Sequence, residues 1–158
     1  YRGQRTYRLY FGGDSNFTGS QSADYNFTVN LPTLNYPTDK WQRIWYDYDG
    51  TMLGEGPHET IEQFDKNWGY NELAYGRSNQ IQFNSSRTIY IGPGQAGLYR
   101  FTLGYDDGAR LWINGTRYIN DWNNGGYRTA FAEVNLSLGN HTFRIDYYEH
   151  VGPARLSF

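Results

Sequence analysis

The chain has 158 residues, 14 Lys and Arg against 16 Asp and Glu, a formal net charge of −2 and no cysteine. This excludes disulfides and thiolate metal sites, offers no basic stripe to nucleic acid, and contains no apolar run of membrane-spanning length and no charged-plus-apolar leader. Mean hydropathy is low at −0.80, but five Trp, sixteen Tyr and nine Phe argue for a folded chain, because aromatics bury large areas and are scarce in disordered segments.

Period-two alternation between Gly, Pro, Asn and Asp punctuation starts at the N-terminus. Residues 6–11 and 23–31 read as two strands joined by a Gly12-Gly13-Asp14-Ser15-Asn16 turn, with Tyr7, Leu9 and Phe11 on one face and Tyr25, Phe27, Val29 and Leu31 on its counterpart. A lone two-stranded ribbon is marginal in water, so residues 1–31 form an arm that needs a further sheet; Tyr10-Phe11-Gly12-Gly13-Asp14-Ser15-Asn16-Phe17-Thr18-Gly19-Ser20 resembles the end of a bacterial-type immunoglobulin-like surface repeat, which implies the tail of such a domain as the alternative. Residues 32–40, with Pro32 and Pro37, read as a linker, and 41–158 as the main β domain. Within that domain residues 87–91, 98–103, 109–113, 130–136 and 141–147 alternate as strands, and only 59–65 suggests a short helix. The expectation is an all-β sandwich or barrel preceded by an N-terminal two-stranded β-ribbon. The chain opens in mid-strand without Met, which suits a segment of a larger protein.

Asn-x-Ser/Thr acceptors for N-linked glycans occur at Asn16, Asn26, Asn84, Asn114, Asn135 and Asn140, against roughly two expected from composition. Asn26 and Asn135 alternate with apolar neighbours, and Asn114-Gly115 and Gly139-Asn140 fall at turns, so the acceptors are expected to face solvent. Asn is also common in β-turns for conformational reasons alone. Occupied sequons place the protein outside the cell or on its surface.

From about Trp41 to Phe158, one stretch is most distinctive: Gly97-Leu98-Tyr99-Arg100-Phe101, then Asp106-Asp107-Gly108-Ala109-Arg110-Leu111 through to Gly115. With Ile119-Asn120-Asp121-Trp122, Leu138-Gly139-Asn140-His141 and Ile145-Asp146-Tyr147-Tyr148-Glu149 in order, it resembles the protective-antigen domain family, the lectin-like module of toxins, glycosidases and yeast flocculins. The resemblance implies a β-sandwich.

Adjacent carboxylates at a strand end repel unless a cation or donors neutralise them, and hard oxygen ligands suit Ca²⁺. In sugar-binding members of the resembled family a matching Asp-Asp pair, joined by a cis peptide, holds calcium. That implies Asp106 and Asp107 as ligands here, with Glu149 standing where those members place Asn. Asp-Asp-Gly also serves simple turn geometry, its carboxylates accepting backbone N–H groups. Trp122, beside Asn120 and Asp121, can stack on a sugar ring or serve as an ordinary half-buried aromatic. Asp47-Tyr48-Asp49-Gly50 lacks the later ligands of a calcium loop and reads as a solvated turn. His58, His141 and His150 have no zinc spacing. Nothing singles out a glycosidase pair such as Asp49 and Glu149, and no nucleophile elbow or phosphate loop occurs, so the chain reads as a non-enzyme.

Two functions fit. One is a glycosylated structural or adhesive subunit, polymerising with copies of itself as the ribbon adds to a neighbour's sheet. The other is a calcium-dependent carbohydrate-binding module of a larger adhesin or secreted glycosidase.

Overall fold

The computed structural model describes residues 34–158. The ribbon strands expected at 6–11 and 23–31, and the sequons Asn16 and Asn26, lie outside the described residues.

Ten strands follow one another: β1 (Gln42–Asp47), β2 (Met52–Glu55), β3 (Asp65–Gly69), β4 (Ile81–Ile91), β5 (Gly97–Asp106), β6 (Gly108–Ile113), β7 (Thr116–Asp121), β8 (Arg128–Leu136), β9 (Gly139–Glu149) and β10 (Ala154–Ser157). They form a six-stranded sheet, β2-β1-β4-β9-β6-β7, and a four-stranded sheet, β3-β10-β5-β8. Every pairing is antiparallel, so this is a β-sandwich with no helix among the described residues.

Alternation decides which side chains meet between the sheets. On β9, Phe143, Ile145 and Tyr147 are fully buried, and on β5 Leu103 and Tyr105 join them. Trp41, Trp45, Phe83, Leu111, Ile113 and Leu156 belong to the same core. Each such side chain contributes about 1.5–3 kcal/mol by leaving water. The β6–β7 hairpin turns on Asn114 and Gly115, with φ of 51° and 79°. Two consecutive left-handed residues make the tight turn whose twist matches the flanking strands, hence the Asn-Gly pair.

The helix expected at 59–65 does not form. Phe64 and Phe158 exchange both backbone hydrogen bonds, Trp41 N donates to the Glu59 carbonyl, and Ile61 stays 62% exposed. Without an apolar stripe to bury, the backbone finds better partners in the sheets. Part of the expected linker is also tied down: Thr88 N donates to the Pro37 carbonyl at 2.8 Å and Thr88 Oγ1 to that of Tyr36 at 2.7 Å.

Arg43 occupies an inward position of β1 and is fully buried. Its guanidinium lies 4.3 Å from the Phe83 ring centroid and 3.7 Å from Glu59. Burial lowers its pKa to about 10, against the opposing pull of Glu59.

Candidate functional site

The acidic motif sits where the chain changes sheets. β5 belongs to the four-stranded sheet and β6 to the six-stranded one, so Asp106-Asp107 makes the corner between them. The peptide joining these two residues is cis. Gly108 follows because a Cβ there would overlap the Tyr148 ring, whose Cδ1 would lie 2.9 Å away. β9 ends at the same rim and delivers Glu149.

Asp106, Asp107 and Glu149 each offer a carboxylate oxygen, and these oxygens lie within 4.8 Å of one another. The three residues are 5%, 4% and 0% exposed. Asp107 is anchored: Oδ1 accepts from Gly125 N at 2.8 Å, and Oδ2 from His150 N at 2.8 Å and Val151 N at 3.4 Å. It therefore clamps the β7–β8 and β9–β10 loops against the corner. The Tyr147 hydroxyl donates to the Asp106 carbonyl and reaches Oε2 of Glu149 at 3.3 Å. Oε1 of Glu149 is buried without a partner among the described residues.

Burial, then the charge of Asp107, raises the pKa of Asp106. Burial first, then Asp107 and Asp106, pushes Glu149 up to about 8. Tyr147 is raised by burial and by the same carboxylates. Among the described residues the cluster has no neutralising positive charge of its own, because Arg128, the cation acting on Asp106, is engaged by Asp121 at 2.7 Å. Three convergent hard oxygen donors with an orphaned buried atom have the chemistry of a cation site.

Asn120, Asp121 and Trp122 lie at and just beyond the end of β7, close to this rim. Asp121 is committed to structure: it accepts from Arg128 Nε, from the Tyr105 hydroxyl at 3.0 Å and from Asn123 Nδ2 at 2.8 Å. These partners, Arg128 foremost, lower its pKa to about 2. Asn120 Oδ1 accepts from Arg110 Nε at 3.0 Å, and the Arg110 guanidinium lies over Trp122 at 4.1 Å. Trp122 in turn packs on Tyr148, with centroids 4.6 Å apart. Tyr148, pushed up to about 12 mainly by burial, donates to Asn124 Oδ1 at 2.8 Å. Tyr48 approaches Tyr148 at 6.1 Å and His150 at 5.5 Å. Sequence reasoning missed Tyr48, Asn124, Tyr148 and His150 as parts of the rim, because only the fold brings these loops together.

Other residues fall elsewhere. Asp49 sits in the exposed β1–β2 turn, accepting from Thr51 N at 2.8 Å, while Glu149 is interior. His58 Nδ1 accepts from Arg43 N at 3.2 Å, His141 bridges Asn114 and the Ser137 carbonyl, and His150 contacts Asn124 at 3.0 Å. A groove of about 440 Å³, lined by Tyr99, Phe101, Leu136, Phe143 and Phe158, opens at the opposite end of the sandwich. Among the described residues, its lining brings together no cluster of metal-ligating side chains.

Of the four described sequons, Asn114, Asn135 and Asn140 are exposed. Asn84 departs from the solvent-facing expectation. It is half-buried on β4, its Nδ2 donating to Asp146 Oδ1 at 2.6 Å.

The family model described as PA14 domain matches residues 43–158. An anti-sigma factor domain-containing protein from Clostridium clariflavum has a similar fold, with TM-score 0.61 and 19% identity over 85% of this chain and 45% of that one. A PA14 sugar-binding domain from an RTX adhesin aligns with TM-score 0.51 and 19% identity over 75% and 87% of the two chains. A subtype-switched epithelial adhesin A domain from Candida glabrata, in complex with beta-lactose, gives 0.53 and 12% over 77% and 85%. The chain thus spans less than half the length of the anti-sigma factor domain-containing proteins it matches. No curated protein sequence matches it.

Proposed function

The chain belongs to the PA14 domain family over residues 43–158, and on that premise we propose that it is an extracellular adhesive module that captures glycans through a calcium ion. Asp106, Asp107 and Glu149 would hold the ion. The observation that carries this reading is their convergence, buried, with Glu149 Oε1 unpartnered. Calcium takes about six to eight oxygen ligands, so protein carboxylates leave positions that neighbouring sugar hydroxyls can fill. Around the ion the chain's own part is to position. Asp107 fixes two rim loops, Gly108 lets Tyr148 close over the corner, and Tyr48, Trp122 and Tyr148 supply aromatic surface. One structure of similar fold is a PA14 sugar-binding domain and another is an adhesin A domain in complex with beta-lactose, which supports the ligand class. Glu149 in place of an amide makes the site more acidic and favours a divalent cation over a neutral turn.

The test is glycan-array binding in calcium and in chelator, for the native chain and Asp106→Asn. Binding that needs calcium and is lost in the variant is expected. Binding unchanged by chelator would contradict the proposal.

A structural role as a polymer subunit is the second reading. Among the described residues β8 is the outer strand of its sheet, nine residues long, and a free edge accepts a further strand. The ribbon expected in residues 1–31 of a neighbouring copy is the strand this reading assigns to it. Head-to-tail addition of that kind propagates a filament. Electron microscopy of the full chain should then show filaments, and a uniform monomer would rule this role out.

A further inference from the structure

Two exposed acceptors share an unusual neighbourhood. Across β4 and β9, Asn140 stands directly opposite Tyr90. Across β5 and β8, Asn135 stands directly opposite Leu98. Directly opposed residues share a face with Cβ atoms about 5 Å apart. Tyr90 is 59% and Leu98 70% exposed, large apolar side chains left in water beside Asn amides that no protein group engages among the described residues.

The other two described sequons differ. Asn84 is bonded to Asp146, itself 5% exposed and clasped by Arg144 through two contacts of 2.7 Å. Asn114 uses both ends of its amide, Nδ2 on His141 and Oδ1 on Thr142 N at 3.0 Å.

We propose that Asn140 and Asn135 carry N-linked glycans whose first sugars lie on Tyr90 and Leu98, while Asn84 and Asn114 stay unmodified. The donor is a lipid diphosphate-linked oligosaccharide. Asn Nδ2 forms a bond to its anomeric carbon and loses a proton, and the carbon–oxygen bond to the diphosphate breaks. The apolar face of a sugar ring then covers the exposed ring of Tyr90, as aromatic surface favours. A sugar on Asn84 would instead displace a buried hydrogen-bonded pair, which is costly.

Placement also separates glycans from the acidic rim. Asn140 and Glu149 are nine residues apart on β9, about 30 Å of strand. Asn135 sits at the same far end, next to Leu136, which pairs with the first residue of β5. The modified end and the candidate ligand-binding end are opposite poles of the sandwich. The inference is independent of calcium and glycan binding at that rim.

The test is the full chain secreted from a eukaryotic host, where the first sugar is N-acetylglucosamine, with site occupancy read by glycopeptide mass spectrometry. Occupancy at Asn135 and Asn140, with Asn84 and Asn114 empty, is expected. Trimming to the single first sugar should leave the melting temperature unchanged, whereas Asn140→Gln should lower it by about 3 °C. Tyr90→Ala should abolish that difference and Tyr90→Phe retain it. Occupied Asn84 in folded protein, an empty Asn140, or a glycan effect indifferent to Tyr90 would overturn the proposal.

Discussion

Replacing Gly108 by Ala tests whether the acidic corner is closed by the Tyr148 ring. A Cβ at Gly108 would overlap that ring, with Cδ1 and Cζ 2.9 and 3.0 Å away. The ring cannot yield freely. It is 4% exposed, packed by Trp122 at 4.6 Å and tethered to Asn124 at 2.8 Å. Overpacking of this kind costs about 1–3 kcal/mol, and losing the tether about 1 more. For a chain of this size, about 3 kcal/mol corresponds to a fall of roughly 10 °C in melting temperature. The assay is thermal unfolding in a double-mutant cycle with Tyr148→Ala, where the cost of Gly108→Ala should drop below about 1 kcal/mol. An equal cost in both backgrounds would refute the claim that the ring is what requires glycine.

Two further perturbations probe the scaffold. Asp121 has a folded pKa of about 2 against an ordinary 3.8, so its pairing stabilises the fold above about pH 4 and that contribution, on the order of 1 kcal/mol after solvent screening of this solvated pair, is lost as pH falls through 2; Asp121→Asn should flatten the acid limb of a urea-stability profile, and an unchanged limb would contradict this. Arg43→Ala should cost about 3–5 kcal/mol, mostly through the cavity it opens, because Glu59 keeps Lys66 at 3.3 Å in either variant, whereas Arg43→Met, which refills the space, should cost less; equal losses in denaturant titrations would show that the charge, not the volume, matters.

Strands that alternate cleanly were legible in the sequence. β5, β6, β8 and β9 each carry apolar residues on one face, and the Asp106-Asp107-Gly108 motif stood out as adjacent carboxylates before a glycine, a pattern that the resemblance linked to a cation site and that turn geometry alone also allows. β1 was obscured by Arg43, a charged residue at an inward position. The first half of β4 was obscured by Ser85 and Ser86, which are buried although polar. The expected helix at 59–65 failed because its partners, Trp41 and Phe158, come from distant parts of the chain. The hydrogen bond that occupies Asn84 comes from a strand 62 residues away, and the aromatic rim around Tyr148 is assembled from loops far apart in sequence. Local pattern carries strand identity, whereas the site depends on which ends the topology brings together.

Calcium titration of the full chain by calorimetry, with Asp107→Asn beside it, tests the central claim most directly. One saturable site in the native chain, absent from the variant and not filled by magnesium at equal concentration, is the predicted result. No heat from the native chain, or equal heats from chain and variant, would contradict a cation held by Asp106, Asp107 and Glu149.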